Sequence, residues 1–181
     1  LVACDTPAPA PCTVSDQTFR TTWEFEGTNP MTGAYPEGVE GTYTFKTDGL
    51  HLSTPNKESY VYGMVSAGNT ALKDIDAMSY KTLREATSTG AAYLVPGYII
   101  YVDLDGDTAT TEDQTYLFYE PVYNGMVQTG VWQTWDVLSG GASTWWSFDL
   151  SGGNPTLTWS SILSEYPNAV ALAYGFNQGT S

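Results

Sequence analysis

Positive charge is almost missing from this chain. Arg20, Lys46, Lys57, Lys73, Lys81 and Arg84 are its only strong cations, set against twenty Asp and Glu, and the formal net charge is -14. Proteins that grip nucleic acid draw much of their affinity from Lys and Arg displacing counterions. Nucleic acid and anionic membrane surfaces are therefore disfavoured as partners. Long apolar runs are missing too: none approaches the roughly 18 residues of a membrane-spanning helix, and no basic-then-apolar leader is visible. No membrane span is expected, and export would mean that a leader has already been removed. Charged residues of either sign make up only 14% of the chain, well below the roughly 25% usual in globular domains. Thr, Ser, Gly, Asn and Tyr fill the polar positions instead, a neutral surface that suits a secreted, extracellular protein.

Histidine and cysteine are scarce as well. His51 stands alone between Leu50 and Leu52 on a short strand, so a Ser-His-Asp or metal-histidine centre would rest on it entirely, and a packed or surface role is the expectation. The two cysteines, Cys4 and Cys12, enclose Asp-Thr-Pro-Ala-Pro-Ala-Pro. A disulfide closing this loop is the preferred reading and fits an oxidising compartment. Leu1-Val2-Ala3-Cys4 also has the look of a lipoprotein processing box, and a pair of free thiols is the third reading. Residues 1–14 read as a Pro/Ala-rich segment whose tract from Thr6 to Pro11 is expected to be a polyproline-like tether, and residues 15–181 read as one domain, a size usual for a single β-sandwich.

What the chain has in quantity is alternation. Thr18 to Glu26, Gly41 to Thr47 and Leu50 to Ser53 alternate apolar with polar residues, with Asp48-Gly49 as a tight hairpin turn between the last two. Tyr60 to Val65 and Met78 to Thr87 alternate as well, although 81–86 has helical propensity. Residues 98–102 are a nearly continuous apolar run, as in a central strand covered on both faces, and 116–120 is its expected partner. Trp132 to Val137, Thr144 to Phe148 and Ala169 to Phe176 complete the strands. One helix is expected over 158–166, started by a hydroxyl cap and stopped by Pro167-Asn168. Many short strands at regular spacing with one helix predict an all-β antiparallel sandwich of the jelly-roll type.

The order Asp103-x-Asp105-Gly-Asp107, Tyr119-Glu-Pro-Val-Tyr-Asn124, Trp132-Gln-Thr-Trp-Asp136, Trp145-Trp146, Thr158-Trp-Ser, Tyr166-Pro-Asn-Ala169 and Gly175-Phe-Asn-Gln-Gly179 resembles a group of secreted, actinobacterial-type β-sandwich domains of mostly unassigned function. The resemblance covers residues 15–181 and lies in the joint order of the motifs. It implies export and a jelly-roll or concanavalin-like sandwich, and brings no catalytic residues with it. In that group a further short strand follows Asn-Gln-Gly, whereas this sequence stops at Ser181. The strand could come from another part of the chain, from a neighbouring subunit, or from sequence beyond Ser181, and a sheet left with an open edge would invite strand addition from a partner.

Two constellations could carry chemistry. Asp103, Asp105 and Asp107 alternate around Gly106, with Asp113 close behind, and carboxylates so spaced gather oxygen ligands for a structural Ca²⁺. The pattern departs from an EF-hand, because Gly106 takes the fourth place and Gln114 stands where the bidentate Glu belongs. A plain Asp-rich turn is the competing reading. The second constellation is aromatic. Six Trp and thirteen Tyr exceed the needs of one core, and exposed rings hold the apolar faces of sugars while Asn and Asp read hydroxyls. The candidate ligand-binding residues are Tyr119, Tyr123, Asn124, Trp132, Trp135, Asp136, Trp145 and Trp146. Strand alternation sends Trp132 and Trp135 to opposite faces, and splits Trp145 from Trp146, so at most half of the rings share a face.

The expected function is non-catalytic binding of polysaccharide or a cell-surface glycan. The alternative is a structural subunit of an extracellular fibre or surface layer, assembled from identical subunits by strand addition. A glycan-active enzyme comes third, with Glu24 and Glu26 about 6.6 Å apart along one strand face, or Glu120, as its carboxylates.

Overall fold

The computed structural model describes residues 24–26, 41–55 and 59–179. Among the described residues the architecture is all-β and antiparallel, with two short helices. The strands are β1 (Glu24–Glu26), β2 (Thr42–Lys46), β3 (Gly49–Ser53), β4 (Val61–Ala71), β5 (Ser79–Leu83), β6 (Gly97–Asp103), β7 (Gln114–Tyr119), β8 (Trp132–Asp136), β9 (Thr144–Trp145), β10 (Leu157–Thr158) and β11 (Val170–Gln178). The helices are α1 (Phe148–Ser151) and α2 (Trp159–Glu165). By contacts the described residues fall into two compact units, one of residues 66–174 and the other of residues 24–26, 41–55, 59–65 and 175–179.

The larger unit is built outward from β6. Its apolar run is buried almost throughout, because it lies between β11 and β7 in the strand order β4-β11-β6-β7. β7 pairs with it antiparallel, Tyr98 opposite Tyr119 and Asp103 opposite Gln114. Period-two alternation then sorts the side chains. Tyr98, Ile100 and Val102 of β6, with Leu117 and Tyr119 of β7, enter a core shared with Trp135, Trp145, Trp159 and Ile162. The opposite face carries an aromatic ladder. Tyr101 stacks on Tyr116 at 4.7 Å, Phe118 stacks on Trp146 at 4.2 Å, and Phe148 meets Trp146 edge-on at 5.0 Å. Phe118 and Trp146 also exchange both backbone hydrogen bonds, at 2.8 and 3.0 Å.

α2 forms where a hydroxyl cap was expected. The Thr158 Oγ1 accepts from the Ser161 amide at 3.1 Å and the Ser161 Oγ accepts from the Thr158 amide at 2.9 Å, a reciprocal pair that satisfies two donors left free by a helix start. Trp159 and Ile162, three apart on one helical face, are buried. α1 replaces the end of a predicted strand: β9 stops at Trp145, and Phe148–Ser151 turn once as helix. The cause is local. The Ser151 hydroxyl donates to the Ser147 carbonyl at 2.8 Å and accepts from the Ser147 amide at 3.0 Å, and Gly152 closes the turn at φ 59°. The stretch with helical propensity, 81–86, is strand to Leu83, where pairing with β8 overrides propensity.

In the smaller unit β2 and β3 form a hairpin with Lys46 opposite Gly49, so the turn residues are Thr47 and Asp48. β1 pairs with β4, Phe25 opposite Gly63. Gly175 of β11 lies so close to Gly63 that an added Cβ would stand 1.8 Å from the Gly63 carbonyl oxygen, so no larger residue fits there without moving the backbone. Cys4, Cys12 and the Pro/Ala tether lie outside the described residues.

Candidate functional site

The predicted ligand-binding residues separate by burial. Tyr119, Trp135 and Trp145 are core residues. The Trp135 indole donates to Thr82 Oγ1 at 2.8 Å and the Trp145 indole to Ser143 Oγ at 3.0 Å. Desolvation, with a smaller contribution from Asp136, pushes the Tyr119 hydroxyl up to about 12. Asn124 is a brace: its amide donates to the carbonyls of Glu120 and Thr144 and accepts from the Thr144 amide, all within 3.0 Å. Trp146 is half-buried in the aromatic ladder. Tyr123, Trp132 and Asp136 remain exposed.

Trp132 and Asp136 occupy the same face of a two-stranded ribbon. β5 and β8 pair antiparallel, Ser79 opposite Asp136, Lys81 opposite Thr134 and Leu83 opposite Trp132. Alternation buries Tyr80, Thr82 and Trp135 on the inner face. It leaves Ser79, Lys81, Trp132, Thr134 and Asp136 exposed on the outer one. Trp132 is 53% exposed. Asp136 is oriented by its Oδ1, which accepts from the Leu138 and Ser139 amides at 3.1 and 2.9 Å. The outer face is thus an open strip with an indole at one end and hydroxyl, ammonium and carboxylate groups along it.

The indole end of the strip is braced by Arg84, which immediately follows β5 and is only 8% exposed. Its guanidinium donates to the carbonyls of Ser88, Gly90 and Ala91 and to Thr129 Oγ1, at 3.3, 2.5, 3.3 and 3.1 Å. Its own carbonyl accepts from the Gly130 amide at 2.8 Å. Gln133 adds two hydrogen bonds to the same loop, from the Gln128 amide at 2.6 Å and to the Met126 carbonyl at 2.8 Å. The loop so held displays Tyr123, Met126 and Val131 to solvent, Met126 at 81%.

The acidic turn brings three of its four predicted ligands together. Carboxylate oxygens of Asp103, Asp105 and Asp113 lie within 4.8 Å of one another, the widest separation that two oxygens about 2.4 Å from one Ca²⁺ can have. Asp107 is outside this group and accepts from the Ala109 amide at 3.2 Å. The same carboxylates also close the turn: Asp103 accepts from the Gly106 amide at 2.8 Å and from the Gln114 side chain at 3.2 Å, Asp105 from the Asp107 amide at 2.7 Å, and Asp113 from the Asp105 amide at 2.8 Å. Gly106, at φ 84°, is required here, since a Cβ would stand 2.7 Å from the Asn168 carbonyl oxygen.

Of the candidate catalytic carboxylates, the side chains of Glu24 and Glu26 lie outside what is described. Glu120 is half-buried. Desolvation lifts its carboxyl above the ordinary range, and the Trp146 indole offsets part of the rise. That approach falls short of hydrogen-bond geometry, so Trp146 Nε1 is a buried donor without a partner. His51 bonds within its hairpin, its Nε2 donating to Asp48 Oδ1 at 2.9 Å and its Nδ1 accepting from Lys46 Nζ at 3.2 Å, and the hydrogen bond from His51 holds the Asp48 carboxyl below its ordinary range.

Sequence reasoning did not single out Ser79, Lys81, Thr134 or the brace Arg84. Thr134 was legible in principle, being midway between Trp132 and Asp136 on one strand face; Ser79, Lys81 and Arg84 become neighbours only through the β5–β8 pairing. Compared with protein-family models, curated proteins and solved structures, the chain matches none.

Proposed function

We propose that this chain is an extracellular, non-catalytic module that binds polysaccharide through the outer face of the β5–β8 ribbon. The observation that carries the reading is the exposed Trp132 on a strip shared with Thr134, Asp136, Lys81 and Ser79. An indole face packs against the C–H face of a sugar ring, and hydroxyl, ammonium and carboxylate groups match its hydroxyls. Support comes also from rigidity. Cross-strand pairing and the Trp135–Thr82 hydrogen bond hold the ribbon, and Arg84 and Gln133 hold the flanking loop. A preorganised face loses less conformational entropy on binding. Ca²⁺ enters the proposal as a structural ion at Asp103, Asp105 and Asp113, supported by the convergence of their oxygens and acting on stability alone.

The test is retention of the purified chain on a panel of insoluble polysaccharides, with light scattering alongside. A monomer retained on at least one polymer, and released at least tenfold more readily after Trp132→Ala, supports the reading. An assembled species indifferent to every polymer overturns it in favour of a fibre subunit. Release of new reducing ends would overturn it in favour of an enzyme.

A further inference from the structure

We infer that the ribbon strip takes an extended, uncharged glycan chain lying along the strands, and recognises several consecutive sugars from the side in preference to a single ring or a chain end. This rests on the reading of the strip as a glycan platform and adds its substrate class. Three observations converge on it.

The first is length. Trp132, Thr134 and Asp136 are i, i+2 and i+4 on one strand, so the strip runs about 13 Å at the usual strand rise, longer than one sugar ring. The second is shape. The exposed groups alternate along one face of a two-stranded ribbon and are open to solvent, a track along which a chain can lie, whereas enclosing one ring requires walls as well as a floor.

The third is charge. The strip holds one cation, Lys81, and one anion, Asp136. Arg84, which directly follows β5, already directs its guanidinium to three carbonyls and a hydroxyl. A row of uronate or sulfate groups would meet one free ammonium on a chain of net charge -14 and be repelled. On an uncharged chain the same groups act as hydrogen-bonding partners, Lys81 as a donor of up to three bonds and Asp136 Oδ2 as an acceptor.

Calorimetry with a chain-length series from monosaccharide to hexasaccharide, cut from the neutral polymer that retains the protein, tests this against a uronate series of equal lengths. The expected result is an affinity that rises at least tenfold between one and four sugars and then levels, with uronates at least tenfold weaker at low salt. Lys81→Met should weaken the tetrasaccharide about fivefold, the worth of roughly one hydrogen bond, and leave the monosaccharide unchanged. A monosaccharide bound as tightly as the tetrasaccharide, or uronates bound as tightly as neutral chains, would overturn the inference and leave the binding function standing. No binding of any glycan would remove both.

Discussion

Arg84 is the residue whose loss should be felt furthest from where it is made. Arg84→Met keeps the aliphatic stem and removes the four donors to Ser88, Gly90, Ala91 and Thr129. A hydrogen bond from a charged donor is worth roughly 1.5–3 kcal/mol, so four such bonds would sum to roughly 6–12 kcal/mol. Two effects cut this down. Ser88, Gly90 and Ala91 are exposed residues, so water can reach their carbonyls, and the buried guanidinium carries a desolvation cost that the variant escapes. The net expectation is a loss of about 2 kcal/mol, or roughly 4–8 °C in Tm for a domain of this size. Lysine should not restore it, because a single ammonium cannot serve four acceptors spread around a planar fork. Thermal denaturation of wild type, Arg84→Met and Arg84→Lys measures this. A Tm within 1 °C of wild type for either variant would refute the clamp.

Other consequences can be measured on the same protein. Desolvation raises the Glu120 carboxyl above 4.5, so its contribution to stability is fully present below the unfolded value and is lost as pH rises through the folded one. Glu120→Gln should therefore be more stable than wild type at pH 7 and show a flatter stability profile above pH 4.5; a lower Tm at pH 7 than wild type would contradict the assignment. Thr158→Ala removes the reciprocal cap of α2 and should cost about 1 kcal/mol by denaturant titration, with no cost counting against the capping box. If Asp103, Asp105 and Asp113 hold Ca²⁺, added Ca²⁺ raises Tm and chelator reverses it, while Asp113→Asn abolishes the difference; equal Tm in Ca²⁺ and chelator would leave a turn closed by its own amides.

The parts of the fold legible in the sequence are those set by local pattern. Residues 98–102 read as a central strand because their apolar run has no polar face, and β6 is covered on both sides. The separation of Trp132 from Trp135 followed from alternation alone, and one indole is exposed while the other is buried. The hydroxyl at 158 marked the start of α2 for a reason of hydrogen bonding that needs no tertiary context. What could not be read depends on distant pairing. Lys81 and Thr134 are 53 residues apart in sequence and opposite each other in the ribbon, and no periodicity links them. Asn124 has the side chain of a sugar-binding residue but spends it on Glu120 and Thr144. One turn of helix at Phe148–Ser151 is too short to leave a 3.6-residue pattern and rests on three hydrogen bonds between Ser147 and Ser151, two of them through the Ser151 hydroxyl.

The most direct test of the binding reading is an NMR titration that follows the indole N–H signals of the six tryptophans as a neutral tetrasaccharide is added, with Trp132→Ala used to assign its peak. The Trp132 signal should move most, and the variant should stay folded but no longer respond. Movement centred on another indole, or no movement at concentrations where the polymer retains the protein, would contradict it.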